Sequence, residues 1–377
     1  MSISIQLQLE LKEQLGALAN SLGGSLPIDQ AVLNVLPEGT KSASAKRYGA
    51  SSWSFTAKID ALDAEEKPVT FFLKASPPDE LFYIICTCLL TGIEVCRWRA
   101  RRCTAQGEYT GMTALHQAAP DLVPRPIAWG KLKTTDAPPS FFILVEFKEF
   151  APGLPDPVKL GARLVAMHRN TQCPHAGFGF HVQTYDGARI RDVTPQEKWT
   201  SFFSRLLAES YRQDVEADGV WPELEVVYNR VQSHLIPRLI GTLEEDGRSV
   251  TPVLIHGDLW DGNICNDAET GDPWIFDCAT YYAHNEMELG LWRAERHQLK
   301  AEVYRREYLR YYEASEPKEE WEDRILLYSA KTNFMFSVCV PGGAPSRKVV
   351  FDDMLHLIQK YVPWEEDSEF QSQLSQL

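Results

Sequence analysis

The chain has 377 residues and a formal net charge of −14 at pH 7, with 38 Lys and Arg against 52 Asp and Glu. A net negative charge repels the phosphates of nucleic acids, whose attraction to basic residues supplies most non-specific binding. Nucleic acid is therefore not expected as a partner. The 44% hydrophobic content is that of a globular protein rather than a disordered or collagen-like one. The length predicts about two or three folded cores.

The cysteines and the apolar runs indicate in which cellular compartment the protein is expected. The eight cysteines follow no compact disulfide or zinc spacing, and the first residues lack the basic and apolar regions of a secretory signal. The most apolar run, 81–93, is shorter than the ~20 residues that a membrane-spanning helix needs. We therefore expect a cytoplasmic, reduced monomer without a membrane partner.

The predicted elements divide the chain into four parts. Residues 1–44 form an N-terminal extension with an amphipathic helical pattern, and 366–377 form a flexible tail. Between them, 45–150 is a small lobe and 151–365 a mainly helical lobe. In the small lobe, β-rich runs at 53–59, 69–74 and 141–146 and a helix at 109–118 are predicted. The predicted fold class is α+β.

Helix-start signals and buried strands follow one another in the second lobe. Asp156 and Pro157 form an N-cap and first-turn pair. The segment 194–197, Thr-Pro-Gln-Glu, has the pattern of a capping box and predicts a helix whose buried stripe includes Trp199. A further helix is predicted over 222–240. Short buried strands are predicted at 253–255 and 274–276.

The strongest chemical signal is a set of three polar residues beside these two strands. The first strand leads to Asp258, Asn263 follows five residues later, and the second strand leads to Asp277. Phosphoryl transfer in the protein-kinase-like architecture uses such a set: a carboxylate that accepts the hydroxyl proton, and an amide oxygen and a second carboxylate for Mg²⁺. The pattern predicts a two-lobed protein-kinase-like fold, with an antiparallel-sheet N-lobe and a mainly helical C-lobe. The alternative is a chance set of polar loop residues.

Three features of the small lobe are candidates for ATP binding. Lys74 closes a strand, where a lysine can reach the ATP phosphates, although a lone lysine there can equally be solvated. The loop 48–54 offers small residues that let backbone N–H groups approach phosphate, or it is a plain hairpin turn. Its candidate residues are Gly49, Ser51 and Ser52. Glu146 and Phe147 end the third strand, where backbone groups of a hinge would contact adenine.

The segment 256–263, His-Gly-Asp-Leu-Trp-Asp-Gly-Asn, resembles the fructosamine kinase family, the ketosamine 3-kinases. The tryptophan after His-Gly-Asp-Leu distinguishes it from aminoglycoside and choline phosphotransferases, which share the fold and the His-Gly-Asp element. Further segments are similar to the family in the same order, and the resemblance covers roughly 45–360 of the sequence. These segments are 107–115, 123–126, 164–168, 177–180, 275–279 and 284–289.

The resemblance implies an activity. ATP, with Mg²⁺, would phosphorylate the sugar 3-hydroxyl of ketoamines on glycated proteins or small molecules, and the unstable product would release the amine, which is deglycation. In this reading Asp258 is the base, Asn263 and Asp277 hold Mg²⁺, and Lys74, paired with Glu108, holds phosphates. Ribulosamine and fructosamine remain open as alternative acceptors.

The resemblance also points to substrate contacts. Trp260 offers a flat apolar face for a sugar ring, or packs in the core beside the loop. His284, Glu286 and Glu288 are expected to contact a cationic ketoamine, or to act as helix caps or solvated charges.

One segment does not match the family pattern. Residues 81–106, between Lys74 and Glu108, hold four cysteines, an apolar run and four arginines, and the family connection there is shorter. We interpret the segment as an insertion, or as a retained intron, whose composition fits neither a loop nor an amphipathic helix and which would disturb the Lys74–Glu108 pair. This segment and the glycine-poor phosphate loop favour a nucleotide-binding pseudokinase as one alternative. A small-molecule phosphotransferase of the aminoglycoside or choline type is another.

Overall fold

The computed structural model describes residues 26–49, 54–76, 94–133, 139–174, 177–187, 189–339 and 345–364. The chain forms two compact units. The first comprises Met1–Tyr109 and Pro124–Glu149, and the second comprises Thr110–Val123 and Phe150–Leu377. The predicted amphipathic pattern near the N-terminus, the tail 366–377 and the apolar run 81–93 lie outside the described residues.

The first unit is built on a five-stranded antiparallel sheet in the order β1-β2-β3-β5-β4. Its strands are β1 (Ser42–Arg47), β2 (Phe55–Leu62), β3 (Pro68–Ala75), β4 (Pro126–Lys131) and β5 (Phe141–Glu146). The sequence predicted β2, β3 and β5. It placed the first half of β1 in the N-terminal extension, because only one residue of that strand is buried, and it interpreted the proline at the start of β4 as part of a loop.

Local chemistry sets the β2–β3 hairpin. The Asp63 carboxylate accepts the backbone N–H groups of Glu65 and Lys67, both at 2.9 Å, and Glu66 adopts a positive φ of 65°. These bonds close the turn and set the strand register. Alternate residues of β2 and β3 then face one core, which also includes Phe142 and Leu144 of β5.

Two helices belong wholly or mainly to this part of the chain, the short α1 (Gln30–Leu33) and the long α2 (Glu94–Ala118). The sequence predicted a helix only from residue 109 and an insertion up to 106. The structure corrects the helix start, because residues 94–106 are helical and continuous with Glu108. The insertion stays a prediction. Because the composition of 94–106 is mixed, its hydrophobic pattern gave no helical signal.

The second unit is mainly helical. Its α-helices are α3 (Pro157–Arg169), α4 (Trp199–Asp218), α5 (Pro222–Arg230), α6 (Ile236–Leu239), α7 (Glu302–Tyr311), α8 (Trp321–Cys339) and α9 (Pro345–Tyr361). A π-helical turn, Val231–Leu235, joins α5 to α6, so the predicted helix over 222–240 is confirmed with an irregular centre. The 3₁₀ helices are Gly241–Glu244, Asp261–Asn263, Asn285–Arg293, Gln298–Lys300 and Lys318–Glu320. Within the described ranges, no helix is both long and apolar enough to span a bilayer.

Short strands frame the turns that carry the polar motif. The strands are β6 (Phe150–Ala151), β7 (Thr184–Asp186), β8 (Arg189–Arg191), β9 (Val253–Ile255), β10 (Ile264–Asp267), β11 (Pro273–Ile275) and β12 (Tyr281–Ala283). They form sheets in the orders β11-β10-β6, β12-β9 and β7-β8. The buried strands β9 and β11 confirm the two strands that the sequence predicted there.

The helix starts show one correct prediction and one error. The Asp156 side chain caps α3 by accepting the N–H of Lys159 at 2.9 Å, as predicted. The predicted capping box at 194–197 does not form. Instead, the Glu244 carboxylate accepts the N–H groups of Trp199 and Thr200, at 2.8 and 2.9 Å, and caps α4 from a distant part of the chain.

Candidate active site

Asp258 and Asn263 contact each other at the turn that follows β9. The side-chain amide nitrogen of Asn263 donates to the Asp258 carbonyl oxygen at 2.8 Å and to Asp258 Oδ2 at 3.1 Å. The 3₁₀ turn Asp261–Asn263 shortens the path of the chain between the two residues, so that the Asn263 side chain reaches Asp258. Within the described part of the chain Asn263 Oδ1 accepts no hydrogen bond, so the amide presents an oxygen for another ligand.

The backbone before Asp258 requires the glycine of the motif. Gly257 has a φ of +78°, and a Cβ there would collide with the carbonyl oxygen of Ala279 and lie 2.9 Å from Arg191 Nη1. The His256 ring is buried: Nε2 donates to the Phe276 carbonyl at 2.8 Å, and Nδ1 accepts the Asp258 N–H at 3.3 Å. Burial lowers the pKa of His256, so the neutral ring holds the loop.

Glu288 ties the same loop to the following 3₁₀ helix. Its Oε2 and Oε1 accept the backbone N–H groups of His256 and Gly257 at 2.5 and 3.0 Å. The carboxylate thus satisfies two buried donors that β9 leaves at its end. The sequence did not predict this positioning role.

Asp277 lies on the neighbouring turn, between β11 and β12. It adopts a φ of +60°, a conformation that Asp enters more readily than most residues. The N–H of Phe276 donates to the Asn263 carbonyl at 3.1 Å, and the Asn263 amide lies 3.4 Å from the Asp277 carbonyl oxygen. These bonds join the Asp277 turn to the Asn263 turn within the second unit.

The donor set fits Mg²⁺. Asn263 contributes an amide oxygen and Asp277 a carboxylate, and hard oxygen ligands of this kind suit Mg²⁺, which usually takes one or two carboxylates together with substrate phosphates. The described residues contain no cluster of three or more His, Cys, Asp or Glu that would hold a metal by protein ligands alone. Asn263 and Asp277 are thus the residues that would hold such an ion.

Asp258 has an unusual electrostatic environment. Burial, together with the negative charges of Asp186 and Asp277, raises the pKa of Asp258 to about 7. Arg191 and Lys331 oppose this rise. The carboxylate is therefore poised as a proton acceptor near neutral pH.

Asp186, Arg191 and Lys331 form a buried network that sequence reasoning missed. Lys331 Nζ donates to Asp186 Oδ2 at 2.7 Å, and Arg191 binds Asp186 through two of its nitrogens. Arg191 also donates to the Gly257 carbonyl at 3.1 Å. Burial would raise the pKa of Asp186, but the two cations lower it to about 2. No spacing in the sequence marks these residues, because β7, β8 and α8 bring them together only in the fold.

Trp260 is half-buried and lies on the turn 256–263, which we call the catalytic turn after the role predicted for Asp258. Its ring centroid is 5.2 Å from that of His297. A Cβ at Gly262 would overlap the ring carbons of Trp260, so the indole covers that glycine. The residue is partly exposed, as a platform for a sugar ring would require.

The structure contradicts the prediction that His284, Glu286 and Glu288 contact a ketoamine. All three side chains are buried, with exposures of 2%, 0% and 2%. The Glu286 carboxylate binds Arg324 at 2.7 and 2.9 Å, and the His284 ring nitrogens lie 3.0 and 2.9 Å from the hydroxyls of Tyr328 and Ser315. These residues stabilise the interior of the second unit, because a buried charge needs a protein partner.

In the first unit, Lys74 of β3 contacts Glu108 of α2. Lys74 Nζ lies 2.9 Å from both carboxylate oxygens of Glu108, and the side chains are 19% and 10% exposed. The pair forms although the residues are 34 positions apart and the segment 81–106 separates them.

Of the other residues of the first unit that were predicted to contact ATP, the structure describes Gly49, Glu146 and Phe147. Gly49 has a φ of +73°, and a Cβ there would lie 3.8 Å from Thr56 Oγ1, whereas Ser51 and Ser52 fall outside the described residues. The N–H groups of Glu146 and Phe147 donate to the carbonyls of Arg125 and Thr70, at 2.8 and 3.2 Å. These two amides are therefore occupied by hydrogen bonds within the first unit.

Comparison with known proteins identifies the family. The family model described as fructosamine kinase matches residues 97–335, which is more than half of the chain. This chain belongs to the fructosamine kinase family. The matched range is narrower than the 45–360 that the sequence resemblance covered, and it begins after Lys74.

Three curated relatives of this chain are named as ribulosamine or ketosamine kinases. The protein-ribulosamine 3-kinase of Oryza sativa subsp. indica, named chloroplastic, is 32% identical over 190 residues, which are 49% of this chain and 51% of that protein. The corresponding Arabidopsis thaliana protein is 27% identical over 67% of this chain and 73% of its own length. The ketosamine-3-kinase of Mus musculus is 29% identical over 49% and 63%. The chain thus spans about half the length of the rice relative.

Solved structures agree on the fold. A Haemophilus somnus protein assigned as a fructosamine-3-kinase gives a TM-score of 0.62 at 16% identity, covering 86% of this chain and 97% of that one. An aminoglycoside phosphotransferase in complex with AMP-PNP and hygromycin B gives 0.52 at 11% identity, covering 88% and 97%. The α+β protein-kinase-like fold is confirmed.

Proposed function

We propose that this chain is an ATP-dependent kinase that phosphorylates the 3-hydroxyl of ketoamines, ribulosamine or fructosamine, on glycated proteins or small molecules. The observation that carries the proposal is the contact between Asp258 and Asn263 at the end of β9. The contact brings the Asp258 carboxylate next to the Asn263 amide, which supports the roles of proton acceptor and Mg²⁺ ligand for these two residues. The family membership supports a ketoamine as acceptor. Loss of the phosphorylated sugar from the amine then amounts to deglycation.

Asp258 acts on the acceptor hydroxyl. Its carboxylate accepts the hydroxyl proton as the sugar oxygen attacks the terminal phosphorus of ATP, the bond from that phosphorus to the bridging oxygen breaks, and ADP leaves. Since the transferring group is loosely bonded in the transition state, orienting the hydroxyl matters more than strong basicity. The hydrogen bonds of Asn263, Arg191 and Glu288 hold the loop that carries this carboxylate.

Other residues act on the nucleotide. Lys74, oriented by Glu108, holds ATP phosphates, and Gly49 allows the backbone of the phosphate loop to approach them. Asn263 and Asp277 would hold Mg²⁺, which neutralises phosphate charge when bound. Trp260 offers the sugar an apolar face.

The test is phosphorus NMR of the purified protein with ATP, Mg²⁺ and either ribulose-lysine or fructose-lysine. A new sugar-phosphate signal that is present for the native chain and about 10²–10⁴-fold weaker for Asp258→Asn supports the proposal. Glu269→Gln, an exposed acid-to-amide change on the β10–β11 hairpin, is the matched control and keeps the signal. Native and Asp258→Asn chains that react equally fast would remove Asp258 from the mechanism.

The same experiment separates the alternatives. Phosphorylation of an aminoglycoside or of choline, but of neither ketoamine, would favour a small-molecule phosphotransferase, whose fold this chain shares. Binding of Mg-ATP without turnover on any acceptor would favour a pseudokinase. The cytoplasmic location and the monomeric state stay predictions, and the rice and Arabidopsis relatives are named chloroplastic.

A further inference from the structure

Arg296 is a half-buried cation without an acidic partner. Its Nη1 donates to Asn333 Oδ1 at 2.7 Å, and its guanidinium carbon lies 4.1 Å from the ring centroid of Phe336. Its buried Nε has no hydrogen-bond partner. Among the described residues, no carboxylate lies within 4.0 Å of the guanidinium. A cation held in this way retains donors and charge for a ligand.

Arg296 belongs to a segment that follows the catalytic turn. Trp292 Nε1 donates to the Leu259 carbonyl at 2.8 Å, the His297 ring packs on Trp260, and the Gln298 N–H donates to Asp261 Oδ1 at 2.9 Å. These contacts place Arg296 between the catalytic turn and helix α8. Burial lowers the pKa of Arg296 to about 10, whereas the negative charge of Asp258 raises it, so the guanidinium is protonated at neutral pH.

Asp258 lies among buried cations and carboxylates. Lys331 is 3% exposed and, like Arg191, is bound to the single carboxylate of Asp186. With Arg296, three cations thus face the three carboxylates of Asp186, Asp258 and Asp277. Arg296 is the cation of this set for which no carboxylate among the described residues lies within 4.0 Å. Uncompensated charge in a partly buried site is costly, and a bound anion would compensate it.

We infer that Arg296 is a subsite for an acidic group of the acceptor, an oxyanion that its guanidinium binds by charge-assisted hydrogen bonds. This inference rests on the proposed ketoamine kinase activity and narrows its substrate class. The oxyanion can belong to the amine half of the ketoamine, as a carboxylate, or to the sugar half, as a phosphate.

The test compares four ketoamines as two matched pairs. Fructose-glycine and fructose-glycinamide differ by a carboxylate in the amine half. Ribulose-ethanolamine 5-phosphate and ribulose-ethanolamine differ by a phosphate in the sugar half. Steady-state kinetics and calorimetric binding are measured for each. In at least one pair, the acidic member has a KM and a Kd about 10- to 100-fold below its neutral match, as a hydrogen bond between charged groups provides.

Variants link the preference to the guanidinium. Arg296→Gln removes the difference within the pair and leaves kcat for the neutral ketoamine within about threefold, whereas Arg296→Lys keeps the charge and restores part of the preference. Arg293→Gln is the matched control, because Arg293 lies on the same segment but its side chain is paired with Glu322 at 2.6 Å. It preserves the preference.

The outcomes separate the two hypotheses. If the native chain phosphorylates all four ketoamines with equal KM, or if Arg296→Gln lowers kcat equally for both members of each pair, the subsite is overturned and the kinase activity stands. If none of the four is phosphorylated or bound, both the proposed function and the subsite are overturned. The pair that shows the preference identifies the half of the substrate that carries the oxyanion.

Discussion

Nζ of Lys74 lies 2.9 Å from both carboxylate oxygens of Glu108. Because both side chains are mostly shielded, solvent screens this pair less than an exposed ion pair. Glu108 stands on α2, and residues 94–106 of that helix belong to the segment that the sequence set apart as an insertion. The contact therefore forms with this segment present.

Removing the charge of Glu108 should weaken the use of ATP. In Glu108→Gln, Lys74 loses the carboxylate that holds it, so we expect the KM for ATP to rise by at least about 10-fold, the loss expected for a charge-assisted hydrogen bond. Initial rates at varied ATP concentration measure this. Glu65→Gln, in an exposed pair with Lys67, is the control. An unchanged KM for ATP would show that the pair serves stability alone.

Asp277 should be required for Mg²⁺-dependent nucleotide binding. Asn tolerates the positive φ of this position, so Asp277→Asn keeps the backbone and removes the charge that Mg²⁺ needs. We expect calorimetry to detect Mg-ADP binding to the native chain but not to Asp277→Asn. EDTA should abolish the native signal too. Equal Mg-ADP affinity of both chains would overturn this assignment.

Gly257 and Gly247 offer a matched test of the catalytic turn, because both have a φ of +78°. A Cβ at Gly247 meets nothing within 4 Å, whereas one at Gly257 collides with the Ala279 carbonyl. We expect Gly247→Ala to cost about 1–2 kcal/mol of unfolding free energy, for conformation alone. Gly257→Ala should cost about 1–3 kcal/mol more, through overpacking. Urea unfolding measures both, and equal losses would contradict the steric argument.

Two substitutions test which carboxylate caps the start of α4. Glu244→Gln should lower the free energy of unfolding by about 1–2 kcal/mol, because an ionised carboxylate caps two backbone N–H groups there. Glu197→Gln, at the exposed end of the predicted capping box, should change it by less than about 0.5 kcal/mol. A larger effect at Glu197 would restore the original prediction.

Short-range patterns predicted the parts of the site that depend on local chain geometry. The five-residue spacing of Asp258 and Asn263 is bridged by a single 3₁₀ turn, so their contact follows from the motif. The strands β9 and β11 were visible as buried runs of apolar residues. The N-cap at Asp156 likewise involves an N–H only three residues away.

Short-range patterns could not predict contacts between distant parts of the chain. Glu286 lies near a helix start, where acidic residues are usually exposed, but Arg324 reaches it from 38 positions away and buries it. Glu244 displaces the local capping box in the same way, from 45 positions away. Sequence reasoning could not weigh these partners, because their proximity is a product of tertiary packing.

The indole of Trp260 occupies the space that any side chain at Gly262 would need. The two positions therefore cannot vary independently. While the tryptophan is present, a larger residue at 262 forces the ring away from His297 and from its place beside the catalytic turn. Once Trp260 is replaced by a small residue, position 262 becomes open to substitution. Engineering of this turn toward acceptors other than sugars should therefore change both residues together, starting with the tryptophan.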